Sequence, residues 1–442
     1  MPRVKVEIGF ELNLRDDGFN VNTFFKQTGN FSNQLTKRLF KEILVFIQKR
    51  ILSQVLGDRW KSIIQTEAPW CCKRCGSYLG FKRRGHRKRT LIGSSGRIKY
   101  PLYQVTCISC GQTFSPFPGL LGIPTKGRYS DEFKEKLVSL VTLISYQKST
   151  LVMKYLKDIS VCPITLHRWV QQKAQEVSFT QDPEKAQVMM VDGTGVKAGV
   201  NPKGTDLQLA IGINRRQKIH NRWSIDKSIL GFDVAPNWNH MKEQCKDYRP
   251  SLILSDGEPE VVNWVKGMYP QASYQRCLWH IPRTLGWYLW KEGLSVEDRK
   301  IWLDRINKIL HHRQPTIERA KQGLKHLIWE LYECGLKKAA DFLCRALSDV
   351  YTYIKLLKEK LLPGQVDENH PFITISILER IFREINRRTD NGARWSVPGL
   401  KNLVKLLLVK KYHPEDWKKL WNENDTMANL GDNQLNVNIC LC

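Results

Sequence analysis

Between Ala68 and Ser130 the chain has no Asp or Glu, although that stretch holds twelve Lys and Arg. A solvated surface normally mixes signs, so a run this one-sided reads as a surface for phosphate. Across all 442 residues, 70 Lys and Arg stand against 43 Asp and Glu, leaving a formal charge of +27. Such a surplus attracts polyanions, nucleic acid first among them. A long apolar run is also missing. The longest, Leu137 to Ser145, is about half of the roughly 20 residues a spanning helix needs, which excludes a membrane protein. The first residues carry acids early and lack an apolar core followed by a small-residue cleavage site, so no secretory signal is expected. The expected location is the cytoplasm, at the nucleoid. No Gly-rich phosphate loop, dinucleotide fingerprint, internal repeat or low-complexity tract is present. What remains is a globular composition, 42% apolar and 26% charged, at a length that suits about three domains.

Residues 1–67 form an N-terminal strand and helix region, in which Arg3 to Leu14 alternates in strand fashion and Phe31 to Leu56 has helical spacing. This region suits a small cap or a dimerisation element. Of the twelve cysteines, four make two CxxC pairs, Cys72 and Cys75 in CKRCG and Cys107 and Cys110 in CISCGQTF. In a chain with no export signal that pattern favours metal over disulfides. Each pair ends in glycine, which permits the positive φ that a tight turn around an ion requires. Four thiolates fill a tetrahedral Zn²⁺ shell, and strands at Arg89–Ile92 and Arg97–Val105 would return the second pair to the first. Residues 68–128 are therefore expected to be a zinc ribbon with one structural Zn²⁺, with Cys71 or His86 as an alternative ligand. Lys82, Arg83, Arg84, Arg87, Lys88 and Arg89 are its expected DNA contacts.

Residues 129–180 turn helical. Tyr129 to Ser145 is amphipathic, Thr150 to Lys157 makes a second short helix, and Ile164 to Val177 follows a polar break. Two short helices joined by a tight turn suit a helix-turn-helix, whose recognition helix would present Thr165, His167, Arg168 and Gln171 beside buried Leu166, Trp169 and Val170. An ordinary helical hairpin has the same pattern.

After a linker at Gln181 to Glu184, strands are expected at Gln187–Val191, Leu207–Asn214 and Ser228–Val234. A helix (Trp238–Cys245), a strand (Ser251–Leu254), a helix (Pro259–Met268) and a strand (Ser273–Cys277) follow. Three hairpin-connected strands followed by alternating helix and strand is the order of an α/β ribonuclease-H-like core. Its first part would occupy residues 186–280 and its second part residues 371–415, with an all-helical insertion at 281–370 and a C-terminal tail at 416–442. Trp287, Trp290, Trp302 and Trp329 recur at helical spacings in the insertion and read most simply as core. Pro363 to Pro371 breaks the helical pattern before one last helix, Phe372–Thr389.

Asp192 in VMMVDGTG and Asp256 in LILSDGEP each close an expected strand. Two neighbouring strands ending in Asp put hard oxygen donors around one cation, and Mg²⁺ prefers such donors while keeping waters. A second ion needs a further acid. Glu379 sits among apolar neighbours in SILERIFREINRRTD and can face the sheet; Glu384 lies about 140° around the helix and is the alternative.

The set VDGT, SDGEP, QRCLWHIPRTL, ERIFREINRRTD and GARWSVPGLKNLVKL, with 64 residues between the aspartates and 123 from Asp256 to Glu379, resembles the Mutator-type DDE transposases of prokaryotic insertion sequences. The resemblance runs from about Ala186 to Lys411. It implies a DNA transposase that binds the ends of its own element, cleaves strands and transfers them. Asp192, Asp256 and Glu379 would be the catalytic triad holding two Mg²⁺ (or Mn²⁺) per active site, and Cys277 and His280 the family's C-x₂-H signature. Two ligands do not make a zinc site, so Cys277 and His280 read as a structural or DNA-positioning element. Arg387, Arg388, Arg394 and Lys401 would contact phosphates, and Trp395 or a Trp of the insertion would stack on an unpaired base. The partners implied are double-stranded DNA, as terminal inverted repeats and target, and a second copy in a homodimer or larger assembly. The alternatives are another ribonuclease-H-like nuclease and an inactive transposase-derived, zinc-dependent DNA-binding regulator.

Overall fold

The computed structural model describes residues 4–5, 21–57, 67–177, 179, 187–201, 203–219, 222–311, 316–358, 373–390, 392, 394–422 and 437–438. The expected linker at 181–184 and the break at 363–371 lie outside them, as does most of the expected first strand, of which Val4–Lys5 pairs in parallel with Val437–Asn438. The chain forms two compact units, Met1–Trp169 with Lys418–Cys442, and Val170–Trp417. No helix among the described residues is long and apolar enough to cross a membrane.

In the first unit, helix α1 (Val21–Leu56) packs on a long antiparallel hairpin, β1 (Phe81–Gly93) and β2 (Gly96–Cys107), with β3 (Thr113–Phe114) on the other edge of β2. The core between them is Leu52, Leu56, Trp70, Phe81, Leu102 and Val105. Gln48 of α1 donates to the Pro101 carbonyl and accepts from the Tyr103 N–H, so a buried amide fixes the helix to the strand. The strands are longer than expected because the basic half of β1 has no apolar alternation; the ladder with β2 sustains it. After the short helix α2 (Phe117–Leu120) come α3 (Asp131–Val141), α4 (Tyr146–Lys157) and α5 (Pro163–Glu176). Ser145 ends the expected first helix and opens the second: its hydroxyl accepts from the Lys148 N–H, so α4 begins at Tyr146 rather than Thr150. Asp158, at φ 52°, stops it.

The second unit is built on a five-stranded mixed sheet. Strands β4 (Val188–Val196), β5 (Thr205–Ile219) and β6 (Arg222–Val234) are joined by hairpins, and β7 (Leu252–Ser255) and β8 (Ser273–Arg276) run parallel to β4 on its other side, in the order β6-β5-β4-β7-β8. Alternate residues serve different layers, as a period of two demands. Met189, Val191 and Ile253 face α6 (Asn239–Cys245) and α7 (Pro259–Met268) through Met241, Trp264 and Val265. Val188, Met190, Leu252 and Leu254 face α13 (Ser376–Thr389) and α14 (Val397–Tyr412) through Leu378, Ile381, Leu400 and Val404. Between β8 and α13 the chain makes α8 (His280–Lys291), α9 (Val296–His311), α10 (Ile317–Glu333), α11 (Lys337–Ala346) and α12 (Thr352–Lys358). Helices α8 to α11 share a core of their own, with Leu285, Leu289, Ile306, Leu327 and Leu343. Helix α15 (Pro414–Asn422) closes the described helices.

A candidate carboxylate site and a four-thiol cluster

The thiol cluster is assembled by two tight turns. The Gly76 N–H donates to the Cys72 carbonyl and the Gly111 N–H to the Cys107 carbonyl, and both glycines take positive φ, 73° and 72°. β2 and the turn after it return Cys107 and Cys110 to Cys72 and Cys75, and all four sulfurs lie within 4.8 Å of one another. Cys72 to Cys110 is 3.5 Å and Cys75 to Cys107 is 3.6 Å, far beyond a disulfide bond. Burial pushes the Cys72 thiol up, but N–H groups of Cys75 and Arg74 and neighbouring thiols outweigh it and bring it down to about 7. At Cys110 the Gln112 N–H pulls down, yet burial and the other three cysteines push it up to about 12. Crowded sulfurs of this kind suit a cation, and the four can hold a metal ion. Cys71 and His86 stand outside the cluster; the His86 ring packs on Tyr103.

Two of the expected DNA contacts beside the cluster have other partners. Arg83 donates to the Gly57 carbonyl and Arg89 to the carbonyl of Pro124, both short-range ties within the first unit. Lys82, Arg84, Arg87 and Lys88 remain exposed. On α5, His167 and Arg168 are exposed and Thr165 is half-buried. Trp169 is half-buried against Tyr129 rather than core. Gln171 accepts from the Asn402 side chain of α14, so it does not belong to an outward reading face.

The carboxylate site follows from strand parity. Met190 pairs with Leu254 in the parallel ladder, so two residues further on Asp192 stands level with Asp256. Both share the parity of Val188, Met190, Leu252 and Leu254, the side that faces α13. Parallel neighbours lie about 4.8 Å apart, so the two carboxyl groups share one space. Asp192 does not close its strand, as expected from the sequence; β4 continues to Val196 because the antiparallel ladder with β5 outlasts the parallel one with β7.

Asp192 is 8% exposed. Burial, then the charge of Asp256, and further Glu379 and Glu258, push its carboxyl up to about 8 against the pull of the Gly193 N–H. An acid so displaced sits in a cluster with too much negative charge for itself, the arrangement a hard divalent cation relieves. Asp256 occupies a rigid turn: its Oδ1 accepts from the Glu258 N–H at 2.9 Å, and the Gly257 N–H donates to Ser255 Oγ at 3.2 Å. Gly257, at φ 93°, is required, because a Cβ there would strike the Arg276 guanidinium. Arg276 in turn donates to the Gly257 carbonyl and lies 4.8 Å over the Phe342 ring of α11. Neither Glu258 nor Arg276 was singled out in the sequence, although both adjoin motifs that were, SDGEP and QRC.

Glu379 lies 3.8 Å from His280 Nε2, and His280 Nδ1 contacts Cys277 Sγ at 3.2 Å. Cys277 is fully buried, and its sulfur accepts from the Ile375 N–H just before α13. The C-x₂-H pair thus ties the end of β8 to the start of the helix that carries Glu379. Glu384 points elsewhere, pairing with Lys411 and accepting from the Tyr412 hydroxyl. A cavity of about 400 Å³ opens beside Glu379, lined also by Trp279, His280, Pro282, Arg283 and Asn307.

Most of the cations expected to bind phosphate here are committed inside the unit. Arg388 is 4% exposed and lies over the Trp395 ring, Arg394 donates to the carbonyls of Gly199 and Asn201, and Lys401 pairs with buried Asp233 at 2.6 Å. Trp395 is half-buried and donates to the Thr389 carbonyl, so it pins the α13–α14 corner. Arg387 is exposed. Trp287, Trp290 and Trp329 are 45%, 57% and 57% exposed, which corrects the expectation that they are core.

Residues 225–419 match the family model described as Transposase, Mutator family. That span contains Asp256, Cys277, His280 and Glu379 but not Asp192. The chain is 24% identical over 287 residues to the transposase for insertion sequence element IS905 of Lactococcus lactis subsp. lactis (strain IL1403), covering 62% of this chain and 66% of that protein. It is 21% identical to the UPF0236 protein in the vanSb 3′ region of Streptococcus gallolyticus, over 68% of each. A third relative, the transposase for insertion sequence element IS1201 of Lactobacillus helveticus, is 24% identical over 32% of this chain and 40% of its own. The chain thus spans about two thirds of the first two relatives and two fifths of the third. The resemblance to Mutator-type insertion-sequence transposases is borne out.

Proposed function

We propose that this chain is a DNA transposase that cuts the ends of its own insertion sequence and joins them to target DNA. The observation that carries this reading is the meeting of Asp192, Asp256 and Glu379 beside an open cavity, with Asp192 held up at about 8 by its acidic neighbours. The five-stranded sheet is read as a ribonuclease-H-like core, the four-thiol unit as a zinc ribbon holding one Zn²⁺, and α4 with α5 as a helix-turn-helix. The three carboxylates suit two Mg²⁺ or Mn²⁺ ions, which when bound supply charge neutralisation to the attacking and leaving oxygens of an in-line displacement. The protein's own part is positioning. β4 and the Asp256 turn hold two carboxylates level; Cys277 and His280 orient the third; Arg276 keeps the turn from shifting. Rigid placement of this kind lowers the barrier without a covalent intermediate. Lys82, Arg84, Arg87, Lys88, Thr165, His167 and Arg168 would grip the element end. Joining two ends calls for a homodimer or larger assembly.

The test is strand transfer from a labelled element end with Mg²⁺ or Mn²⁺. Asp192→Asn, Asp256→Asn and Glu379→Gln should each lose roughly 10²- to 10⁴-fold, the kinetic equivalent of several kcal/mol. Glu384→Gln should stay within a few-fold. Wild-type rates in any one of the first three would remove that residue from the mechanism.

A further inference from the structure

Helix α8 leaves the carboxylate site with an unusual solvent face. From Trp279 to Lys291 its exposed positions are Trp279, Arg283, Trp287, Trp290 and Lys291, three indoles and two cations with no acid among them. Trp279, Trp287 and Trp290 are 58%, 45% and 57% exposed. At 100° and 1.5 Å per residue, positions 279, 283, 287 and 290 fall within an arc of about 80° and a length of about 16 Å. They form a single stripe. Its near end is the wall of the cavity itself, since Trp279 and Arg283 line that cavity with Glu379. Further along, Trp287 stands edge-on to Tyr288 at 4.9 Å, and Lys291 Nζ lies 3.8 Å from its ring centroid, so the indole is held in place before anything binds.

Duplex DNA hides its base faces, leaving these indoles nothing to stack on. A protein helix would cover the indoles but leave two cations facing an apolar neighbour. An unpaired strand offers both base faces and phosphates, which matches alternating aromatic and cationic side chains. We infer that this face of α8 holds the unpaired strand of a DNA end whose phosphodiester lies at the carboxylate site. The inference rests on reading that site as one that cuts DNA.

The experiment uses the full chain and fluorescence anisotropy, with a blunt duplex and the same duplex carrying an eight-nucleotide single-stranded tail. Stacking contributes a loss of about 5- to 150-fold per base when the aromatic is removed. The double variant Trp287→Ala, Trp290→Ala should therefore weaken tailed DNA by at least about 25-fold and leave the blunt duplex unchanged. Trp287→Phe, Trp290→Phe should restore most of the loss. The salt dependence separates stacking from charge: the alanine pair keeps the wild-type log–log slope, whereas Arg283→Gln lowers it by about 0.7. Equal binding of tailed DNA by the alanine pair and wild type overturns the inference, as does equal loss on both duplexes. A shift in sedimentation with no change in tail affinity also overturns it, by assigning the face to a second copy. Cleavage by the wild type is read separately: cutting without Trp-dependent tail binding sinks this inference alone, and Trp-dependent binding without cutting sinks the cleavage reading alone.

Discussion

The two clusters that can gather a cation are built in opposite ways. The thiol cluster draws four soft donors from two turns of the same kind, and its sulfurs lie within 4.8 Å of one another, leaving no room for a substrate. The carboxylate cluster draws hard donors from two strands and a helix that span residues 192 to 379, and it faces a cavity of about 400 Å³. Closed, fully liganded sites stabilise a fold; open ones keep positions for chemistry. The difference teaches where each unit places its free energy. In the first, the cation substitutes for core that a small hairpin cannot supply. In the second, a large apolar core holds acids together against their own repulsion.

This contrast breaks first if the thiol cluster proves dispensable. Structural zinc is worth about 10 kcal/mol or more in small domains. Cys107→Ser, or a strong zinc chelator, should therefore abolish the cooperative transition of the first unit and leave that of the second in place. Calorimetry with metal analysis checks this, and one zinc per chain that can be stripped without loss of the first transition would refute it.

The second cluster should show the reverse. Asp192 titrates near 3.8 when unfolded and is pushed up to about 8 when folded. Between those values the folded state binds a proton that the unfolded state does not, so stability falls as pH rises from about 4 to 8 and then levels. Each pH step of one across that window removes about 1.4 kcal/mol at most. Without divalent cations, Asp192→Asn should therefore stabilise the second unit at pH 8 by on the order of a few kcal/mol. The gain should shrink toward pH 4, and Mn²⁺ should raise the melting temperature of wild type only. Identical pH profiles for the two proteins would show that the acids do not crowd Asp192.

The same local and long-range divide explains what was legible in the sequence. Cys72, Cys75, Cys107 and Cys110 and their glycines were readable because spacing and turn chemistry lie within a few residues. The strand sequence from β4 to β8 was readable from its apolar alternation. Glu379 and Glu384 stayed unresolved, because helix geometry separates them by angle but does not say which side meets the sheet; Lys411 and His280 decide it, and both are distant in sequence. Misread cations have the same cause. Nothing local signals that Lys401 meets buried Asp233, that Arg394 meets the 199–201 loop, or that Gln171 meets Asn402. The exposed indoles of α8 misled for the converse reason: helical spacing shows a shared face but not whether that face is covered.

The smallest effect sharpens the comparison inside the first unit, where cations on one hairpin divide into two kinds. Arg87 and Lys88 are exposed, whereas Arg83 is spent on the Gly57 carbonyl. A cation that meets phosphate releases a counterion, so Arg87→Gln should reduce the log–log salt slope for duplex binding by about 0.9 at unchanged stability. Arg83→Gln removes a charge-assisted hydrogen bond to backbone instead, costing roughly 1.5 to 3 kcal/mol of stability at an unchanged slope. Anisotropy titrations from low to moderate salt, paired with thermal melts, read both quantities. If Arg83→Gln flattened the slope as much as Arg87→Gln, the hairpin would act as one diffuse basic surface, and burial would not sort its arginines.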